Sequence, residues 1–197
     1  MYTSYLDFEA DKSICRACEI GQAYQRVVLS DGCKSKPLVL ILGEAPGADE
    51  VAEGKPFVGK AGKLLRSVLN DNGFNKRNAL ISNVIPCRPK DNVFPQDGSL
   101  VTRCYDKWLK QEVLLTKPHY VILLGAQPLK YVLGLTGITK LRGNYYDLPF
   151  SEMSSKCMPT FHPSYVLRKQ YMEGGKQIRQ QFEDDIRGVA KLAGFLV

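Results

Sequence analysis

The cysteines of this sequence are its clearest candidates for metal chemistry. Cys15 and Cys18 are separated by two residues, so their thiolates can bind the same metal ion or cluster. Two more ligands are needed, and they would have to come from Cys33, Cys87, Cys104, Cys157, His119 or His162. Four thiolates hold either zinc or an iron–sulfur cluster, and the scattered spacing favours the larger group. The alternative is a surface C-x-x-C with buried cysteines that bind nothing.

Three other residues stand where an apolar run ends or a loop begins. His162 precedes Pro163 and suits a general acid or a hydrogen-bond donor to a developing anion. Asn83 interrupts an apolar run, where its carboxamide either recognises the polar edge of a ligand or caps a loop. Phe57 lies in a glycine-flanked loop, where its ring either stacks on a base or packs against the core.

Two glycine-containing segments follow the first apolar run. The segment Gly43–Gly47 (GEAPG) can present backbone N–H groups and the Glu44 carboxylate to a ligand, or it is simply a turn, and Glu50 adds a carboxylate nearby. The segment Gly54–Ala61 (GKPFVGKA) nearly matches a phosphate-binding loop. It has alanine where that loop needs a hydroxyl for magnesium, and the preceding strand ends too early, so nucleotide hydrolysis is rejected.

Apolar runs and glycines predict the elements that must position these residues. Buried strands are predicted at Leu38–Leu42, Ala79–Val84, Tyr120–Leu124 and Cys157–Phe161, and helices at Ala61–Asn70, Leu100–Thr116, Ala126–Leu133 and, interrupted at Gly174-Gly175, Tyr165–Leu196. This alternation predicts an α/β fold, a three-layer α/β/α sandwich with a central, mostly parallel four-stranded sheet. Ligands bind beyond the carboxyl ends of such strands, so the loops that begin there should converge at one edge.

Length and composition indicate one ordinary domain over residues 1–197. An apolar share of 44% and a charged share of 24% are typical of globular proteins and argue against disorder, collagen and coiled coil. The longest apolar runs are too short to span a membrane, and the first residues lack the pattern of a secretory signal, so a cytoplasmic, non-secreted protein is predicted. The net charge of +7 favours a polyanionic partner, nucleic acid first.

In this order and spacing, the motifs resemble those of family 4, the iron–sulfur uracil-DNA glycosylases of the uracil-DNA glycosylase superfamily. The resemblance covers roughly Ile14 to Arg168, and its markers are Cys15-x-x-Cys18, GEAPG at Gly43–Gly47, GKPFVGKAG at Gly54–Gly62, SNVIPCRP at Ser82–Pro89, Cys104 and His162-Pro-Ser. It implies a [4Fe–4S] cluster held by Cys15, Cys18, Cys87 and Cys104, with a structural role. Cys33 and Cys157 have no counterpart in the family pattern.

The resemblance also implies how a base is bound and released. Phe57 would stack on a uracil flipped out of the DNA, and Asn83 would bind its N3–H and O4 edge. His162 would be catalytic, as the donor to O2 of the departing uracil.

The first motif would orient the attacking water and crowd C5 of the base. Glu44 and Glu50 are its candidate catalytic carboxylates, and Ala45 would contact the substrate. Ala45 stands where better-studied members of the superfamily have a water-activating Asp. The group that binds the attacking water is therefore left open between Glu44, Glu50 and the backbone.

The implied function is DNA repair, the first step of base excision. The protein would hydrolyse the N-glycosidic bond of uracil in single- or double-stranded DNA and leave an abasic site, without lyase activity. Arg88, Lys90 and Arg168 would hold the DNA backbone, and Tyr165 would begin a segment, up to Leu167, that wedges into the helix. A monomer near the nucleoid is expected, with a replication or repair protein as a further partner. The alternatives are a catalytically silent DNA-binding or polymerase-associated module that keeps the fold, and a four-cysteine zinc protein.

Overall fold

The computed structural model describes residues 2–22, 26–150 and 154–196, and a six-stranded sheet lies at its centre. The strands are β1 (Asp31–Gly32), β2 (Val39–Gly43), β3 (Ala79–Asn83), β4 (Tyr120–Leu124), β5 (Tyr146–Asp147) and β6 (Lys156–Thr160). Their order across the sheet is β1-β3-β2-β4-β6-β5. The two edge strands are therefore β1 and β5.

The four central strands are the four that the apolar runs predict. β3, β2, β4 and β6 are parallel neighbours, with Ile41 opposite both Ile81 and Ile122. Every residue of β2 and β3 is buried, which explains why these strands read as continuous apolar segments. The predicted α/β class is confirmed. The sheet has six strands rather than four because β1 and β5, two residues each, add antiparallel edges too short to leave an apolar run.

Helices precede, connect and follow these strands along the sequence. They are α1 (Tyr5–Ser13), α2 (Glu19–Gln22), α3 (Ala48–Glu53), α4 (Lys60–Asp71), α5 (Gly98–Cys104), α6 (Lys110–Thr116), α7 (Ala126–Leu133), α8 (Ile138–Leu141), α9 (Pro163–Lys169) and α10 (Gly175–Leu192). A π-helical turn at Tyr105–Leu109 joins α5 to α6, so the predicted helix over Leu100–Thr116 is one irregular rod. The predicted last helix divides into α9 and α10 at its glycine pair. In the described part of the chain, no helix has the length and apolarity required to cross a membrane.

Two cores sandwich the sheet. On one face Ile41 and Ile122 pack with residues of α4, α9 and α10. On the other face Leu40 and Leu123 pack with α5, α6 and α7. Cys157 is fully buried in the second core, where it serves as a small apolar residue. The layers thus hold the carboxyl ends of the parallel strands at one rim of the molecule.

Candidate active site

The loops that leave β2, β3, β4 and β6 surround one cavity of about 640 Å³. Eight of the residues singled out in the sequence line it: Glu44, Ala45, Glu50, Phe57, Asn83, His162, Tyr165 and Arg168. They are distant in the chain, but parallel strands bring their carboxyl ends to a common edge. The cavity is open, and its volume is ample for a single pyrimidine base.

Asn83, the last residue of β3, lines this cavity and carries an unsatisfied polar atom. The residue is only 7% exposed, and its Oδ1 is the sole buried side-chain nitrogen or oxygen of the described residues that has no hydrogen-bond partner. Leaving a buried acceptor unpaired is unfavourable, typically by about 1–3 kcal/mol. The position therefore calls for a ligand that brings an N–H or O–H donor.

Gly43 makes the meeting of Asn83 and Phe57 possible. A Cβ atom at Gly43 would lie 2.4 Å from both Asn83 Oδ1 and Phe57 Cζ, so any other residue would displace one of them. In the sequence this glycine marks only the end of a strand. Its role depends on a contact between the ends of two strands and the loop that carries Phe57, and no local pattern in the sequence reveals it.

Phe57 and His162 form adjacent parts of the cavity wall. Their ring centroids are 6.0 Å apart, with 37° between the ring planes. Phe57 is 6% exposed, so one ring face packs within the protein and little of the ring is open to solvent. The two rings and the Asn83 carboxamide thus provide a flat apolar contact, a donor and an acceptor around one space.

The protonation of His162 follows from its position at the start of α9. Its Nδ1 accepts a hydrogen bond from the backbone N–H of Ser164 at 3.2 Å and lies 2.8 Å from the Ser164 hydroxyl. Burial, reinforced by Arg168 and opposed by Glu50, lowers the pKa of His162 to about 4. The ring is therefore neutral at physiological pH, and because Nδ1 is an acceptor, its single proton is on Nε2.

The two candidate carboxylates have different surroundings. Glu50 Oε2 accepts a hydrogen bond from Gly47 N at 2.9 Å, and Oε1 accepts from the N–H groups of Val58 and Gly59, both at 3.0 Å. These bonds tie the GEAPG segment to the loop that carries Phe57. The side chain of Glu44 accepts no hydrogen bond from the described residues, and burial raises its pKa. Glu50 thus holds these two segments together, and its catalytic role stays a prediction. The carboxylate oxygens of Glu44 are available to bind water.

The residues expected to contact DNA are distributed around the rim. Arg168 is exposed beside the cavity, whereas Arg88 and Lys90 do not line it. Arg88 Nε donates to Asn92 Oδ1 at 2.8 Å, and Asn92 does line the cavity. Both cations thus lie on the loop that forms its outer edge.

The segment expected to wedge into the helix is mostly inside the protein. Val166 is fully buried and Leu167 packs against the core, so neither is placed to enter DNA. Tyr165 is half-buried, with its ring centroid 5.2 Å from that of Phe161, and it lines the cavity. Tyr171, in the turn after α9, is 93% exposed and does not line the cavity.

The four cysteines of the expected cluster come from three different segments, and Cys15 and Cys18 affect the pKa values of the other two. Burial, then the neighbouring Cys18 and Cys15, raise the pKa of Cys87 to about 11. Burial, then Cys87, Cys18 and Cys15, raise the pKa of Cys104 to about 12. The Sγ of Cys33 contacts Ser35 O at 3.2 Å.

Within residues 2–22, 26–150 and 154–196, no group of three or more His, Cys, Asp or Glu side chains is arranged to hold one metal ion. A four-iron cluster is larger than one ion and takes four thiolates, one on each iron. Cys15 and Cys18 both contribute to the raised pKa values of Cys87 and Cys104, which is consistent with four thiols in one region.

Comparison with known proteins agrees with this geometry. The sequence profile of the Uracil DNA glycosylase superfamily matches residues 29–186. The chain is 31% identical to the type-4 uracil-DNA glycosylase of Sulfurisphaera tokodaii, over 91% of this chain and 80% of that protein. It is 32% identical to the type-4 uracil-DNA glycosylase of Saccharolobus solfataricus, over 93% and 84%. It is 33% identical to that of Thermotoga maritima, over 86% of each.

Proposed function

The chain belongs to the uracil-DNA glycosylase superfamily, and we propose that it removes uracil from DNA by hydrolysing the N-glycosidic bond, as the first step of base excision repair. The observation that carries the proposal is the unpartnered Asn83 Oδ1, buried in a cavity that it shares with Phe57 and His162. A DNA-binding module without catalysis would have no use for a buried, unpaired acceptor beside a neutral imidazole.

Asn83 selects the base by its hydrogen-bonding edge. The Oδ1 accepts from N3–H of uracil, and the amide nitrogen donates to O4. Cytosine carries an acceptor at N3 and a donor at C4, so both contacts would be repulsive. A duplex hides this edge, and the base must therefore be swung out, at a cost of a few kcal/mol, before it can stack on Phe57.

His162 stabilises the leaving group. As the bond between C1′ and N1 breaks, its electron pair remains on uracil and the negative charge spreads to O2. The Nε2–H of the neutral imidazole donates to this oxygen, and a preorganised donor of this kind contributes typically about 3–4 kcal/mol. Burial keeps the ring neutral, so this contact is a hydrogen bond rather than an ion pair.

Glu44 receives the proton of the attacking water. The water oxygen bonds to C1′ of the oxocarbenium-like sugar, and the proton that it loses passes to the carboxylate. The raised pKa of Glu44 suits a proton acceptor. The products are free uracil and an abasic site, and since no amine attacks the sugar, no lyase step follows. Glu50 keeps the loops on either side of the base in place.

The four clustered cysteines are proposed to hold a [4Fe–4S] cluster. The donor set supports it: Cys15 and Cys18 of the N-terminal segment contribute to the raised pKa values of Cys87, in the loop after β3, and Cys104, at the end of α5. When bound, the cluster would supply a structural cross-link, because glycosidic hydrolysis transfers no electrons. Cys33 and Cys157 remain outside it.

DNA binding is proposed for the rim of the cavity. Arg88, Lys90 and Arg168 would contact phosphates, and the net charge of +7 supports a polyanionic substrate. Tyr165 would contact the nucleotide from the cavity side. A single-domain, monomeric, cytoplasmic protein that works beside a repair or replication partner remains the expectation from the sequence.

The test is release of free uracil from oligonucleotides that carry uracil opposite guanine, opposite adenine or in a single strand. His162→Ala should lower the single-turnover rate roughly 100- to 1,000-fold, since it removes one preorganised donor. The matched control is His119→Ala, because His119 is exposed and precedes β4, at the opposite end of the sheet. No uracil release by the wild-type protein would establish the silent DNA-binding module instead.

A further inference from the structure

The loop that carries Phe57 is held by a side chain that no sequence motif singles out. We propose that Arg66, oriented by Asp31, is a positioning residue that keeps the Phe57 ring on the cavity wall. This inference rests on the proposed function, because it assigns to Arg66 an effect on the contact between Phe57 and the flipped base. The proposed restraint acts on the backbone on both sides of Phe57.

The backbone at Phe57 is in an unfavourable conformation. Its φ is +56°, in the left-handed region that a bulky side chain rarely adopts. Such a conformation persists only where neighbouring groups hold it. If this peptide relaxed, the ring would turn away from Gly43 and His162, which it now contacts.

Arg66, on α4, supplies the restraint on one side. Its Nε donates to Phe57 O at 2.9 Å, and its Nη2 donates to Pro56 O at 2.7 Å. Two consecutive carbonyls are thereby fixed by one rigid, planar guanidinium. Lysine has a single nitrogen and does not reproduce this fork.

Asp31 fixes the guanidinium in turn. Arg66 Nη2 lies 2.9 Å from Asp31 Oδ2, and the carboxylate is mostly buried. Asp31 belongs to β1, the two-residue edge strand that pairs with β3 opposite Ile81. The paired strands β1 and β3 therefore position both residues. Asn83 belongs to β3 itself, whereas β1 acts on Phe57 through Asp31 and Arg66.

The other side of the loop is closed by groups already described. Glu50 accepts the N–H groups of Val58 and Gly59, the two residues after Phe57. Gly62 lets α4 approach, because a Cβ there would lie 2.1 Å from the Phe57 carbonyl carbon. The peptides before and after the ring are thus both fixed, and Arg66 is the only one of these groups that bonds to Phe57 itself.

A double-mutant cycle tests the assignment. Phe57→Ala, Arg66→Gln and the combination are compared in single-turnover uracil release, with Arg77→Gln, an exposed arginine, as the matched control. We expect Arg66→Gln to lower the rate about 10-fold and to have less than a twofold effect once Phe57 is alanine. Arg66→Lys should recover only part of the loss. Independent, multiplicative losses in the combined variant would overturn the proposal.

A second readout does not depend on catalysis. With 4-fluorophenylalanine at position 57, Arg66→Gln should shift or broaden the fluorine resonance of the ring, whereas Arg77→Gln should leave it unchanged. If the wild-type protein released no uracil, the proposed function would fail while this measurement still decided the role of Arg66. If Arg66→Gln did not fold, Asp31→Asn would replace it in both experiments. An unchanged resonance in the folded variant would refute the positioning role.

Discussion

The wall of the cavity and the cysteine region reach their geometry by different means. Asn83 and His162 stand at or just beyond the ends of parallel strands, whose register is fixed by the sheet. Cys15 and Cys18 lie between the short helices α1 and α2, and Cys87 lies in an irregular loop. The geometry of the cavity is therefore set by the register of the sheet, whereas the positions of the cysteines depend on contacts between segments that are distant in the sequence.

One such contact is a buried polar network beside the cysteines. Glu112 of α6 is fully buried and bonds to Lys12 Nζ at 3.1 Å, Ser30 Oγ at 2.6 Å and Ser82 Oγ at 2.8 Å. Tyr5 OH donates to the same carboxylate at 2.5 Å. Although burial opposes ionisation, Lys12 and these hydroxyls hold the pKa of Glu112 below its usual value. The network joins α1, which leads into Cys15, to β3, which leads into Cys87.

The largest expected effect is loss of the cluster. Cys18→Ser removes one of the four proposed ligands, so the visible iron–sulfur absorbance should disappear and thermal stability should fall. The matched control is Cys33→Ser, which should keep both. Retained absorbance in Cys18→Ser, or its loss in Cys33→Ser, would contradict the ligand assignment. A colourless wild-type protein that binds zinc would contradict the cluster itself.

The second-largest expected effect is a loss of stability when Glu112 is replaced. Glu112→Leu leaves the Lys12 ammonium, which is only 2% exposed, buried and unpaired, so the free energy of unfolding should fall by about 3–5 kcal/mol. Urea unfolding measures it. Lys12→Met combined with Glu112→Leu removes both charges and should recover much of the loss. If the double variant is as unstable as the single one, the ion pair is not what anchors α1.

A smaller effect, confined to the cavity, is expected for Asn83→Asp. The carboxylate cannot donate to O4 of uracil, so excision should fall roughly 10- to 100-fold, in line with the loss of a buried hydrogen bond of about 1–3 kcal/mol. Iron–sulfur absorbance should stay as in the wild type, because Asn83 is not among the proposed ligands. Wild-type excision rates in this variant would refute the base-reading role. Asn144→Asp, at an exposed site, is the control.

The smallest expected effect is the pH dependence of the excision rate and of stability. Because the pKa of His162 is lowered to about 4 from an ordinary 6.5, the excision rate should show no ionisation of this ring between pH 5 and 8. The unfolded chain takes up the proton first, so stability should decline as pH falls from 6.5 towards 4, by at most about 1.4 kcal/mol per unit. The difference between the wild type and His162→Gln isolates this slope. An excision rate that falls with a midpoint near 6.5 would contradict the neutral-donor mechanism.

Helix prediction was accurate where an apolar stripe faces a core and failed elsewhere. Ala126–Leu133 has the predicted bounds because its buried residues repeat with the helical period. In α3 no residue is buried, so its sequence carries no such stripe, and no helix is predicted there. The two-residue strands β1 and β5 were missed for a similar reason, since they are specified by their neighbours rather than by their own residues.

The sequence by itself determined the four central strands, the family and the residues that would meet at the cavity, because long apolar runs and ordered motifs are local properties of the chain. Only the tertiary structure decided which contacts keep the cavity residues in place. The bonds from Val58 and Gly59 to Glu50 and the bond from Arg66 to Phe57 join separate segments, and burial in the folded protein keeps the His162 ring neutral. Such contacts depend on distance and burial in the folded molecule, and residue type alone does not specify either.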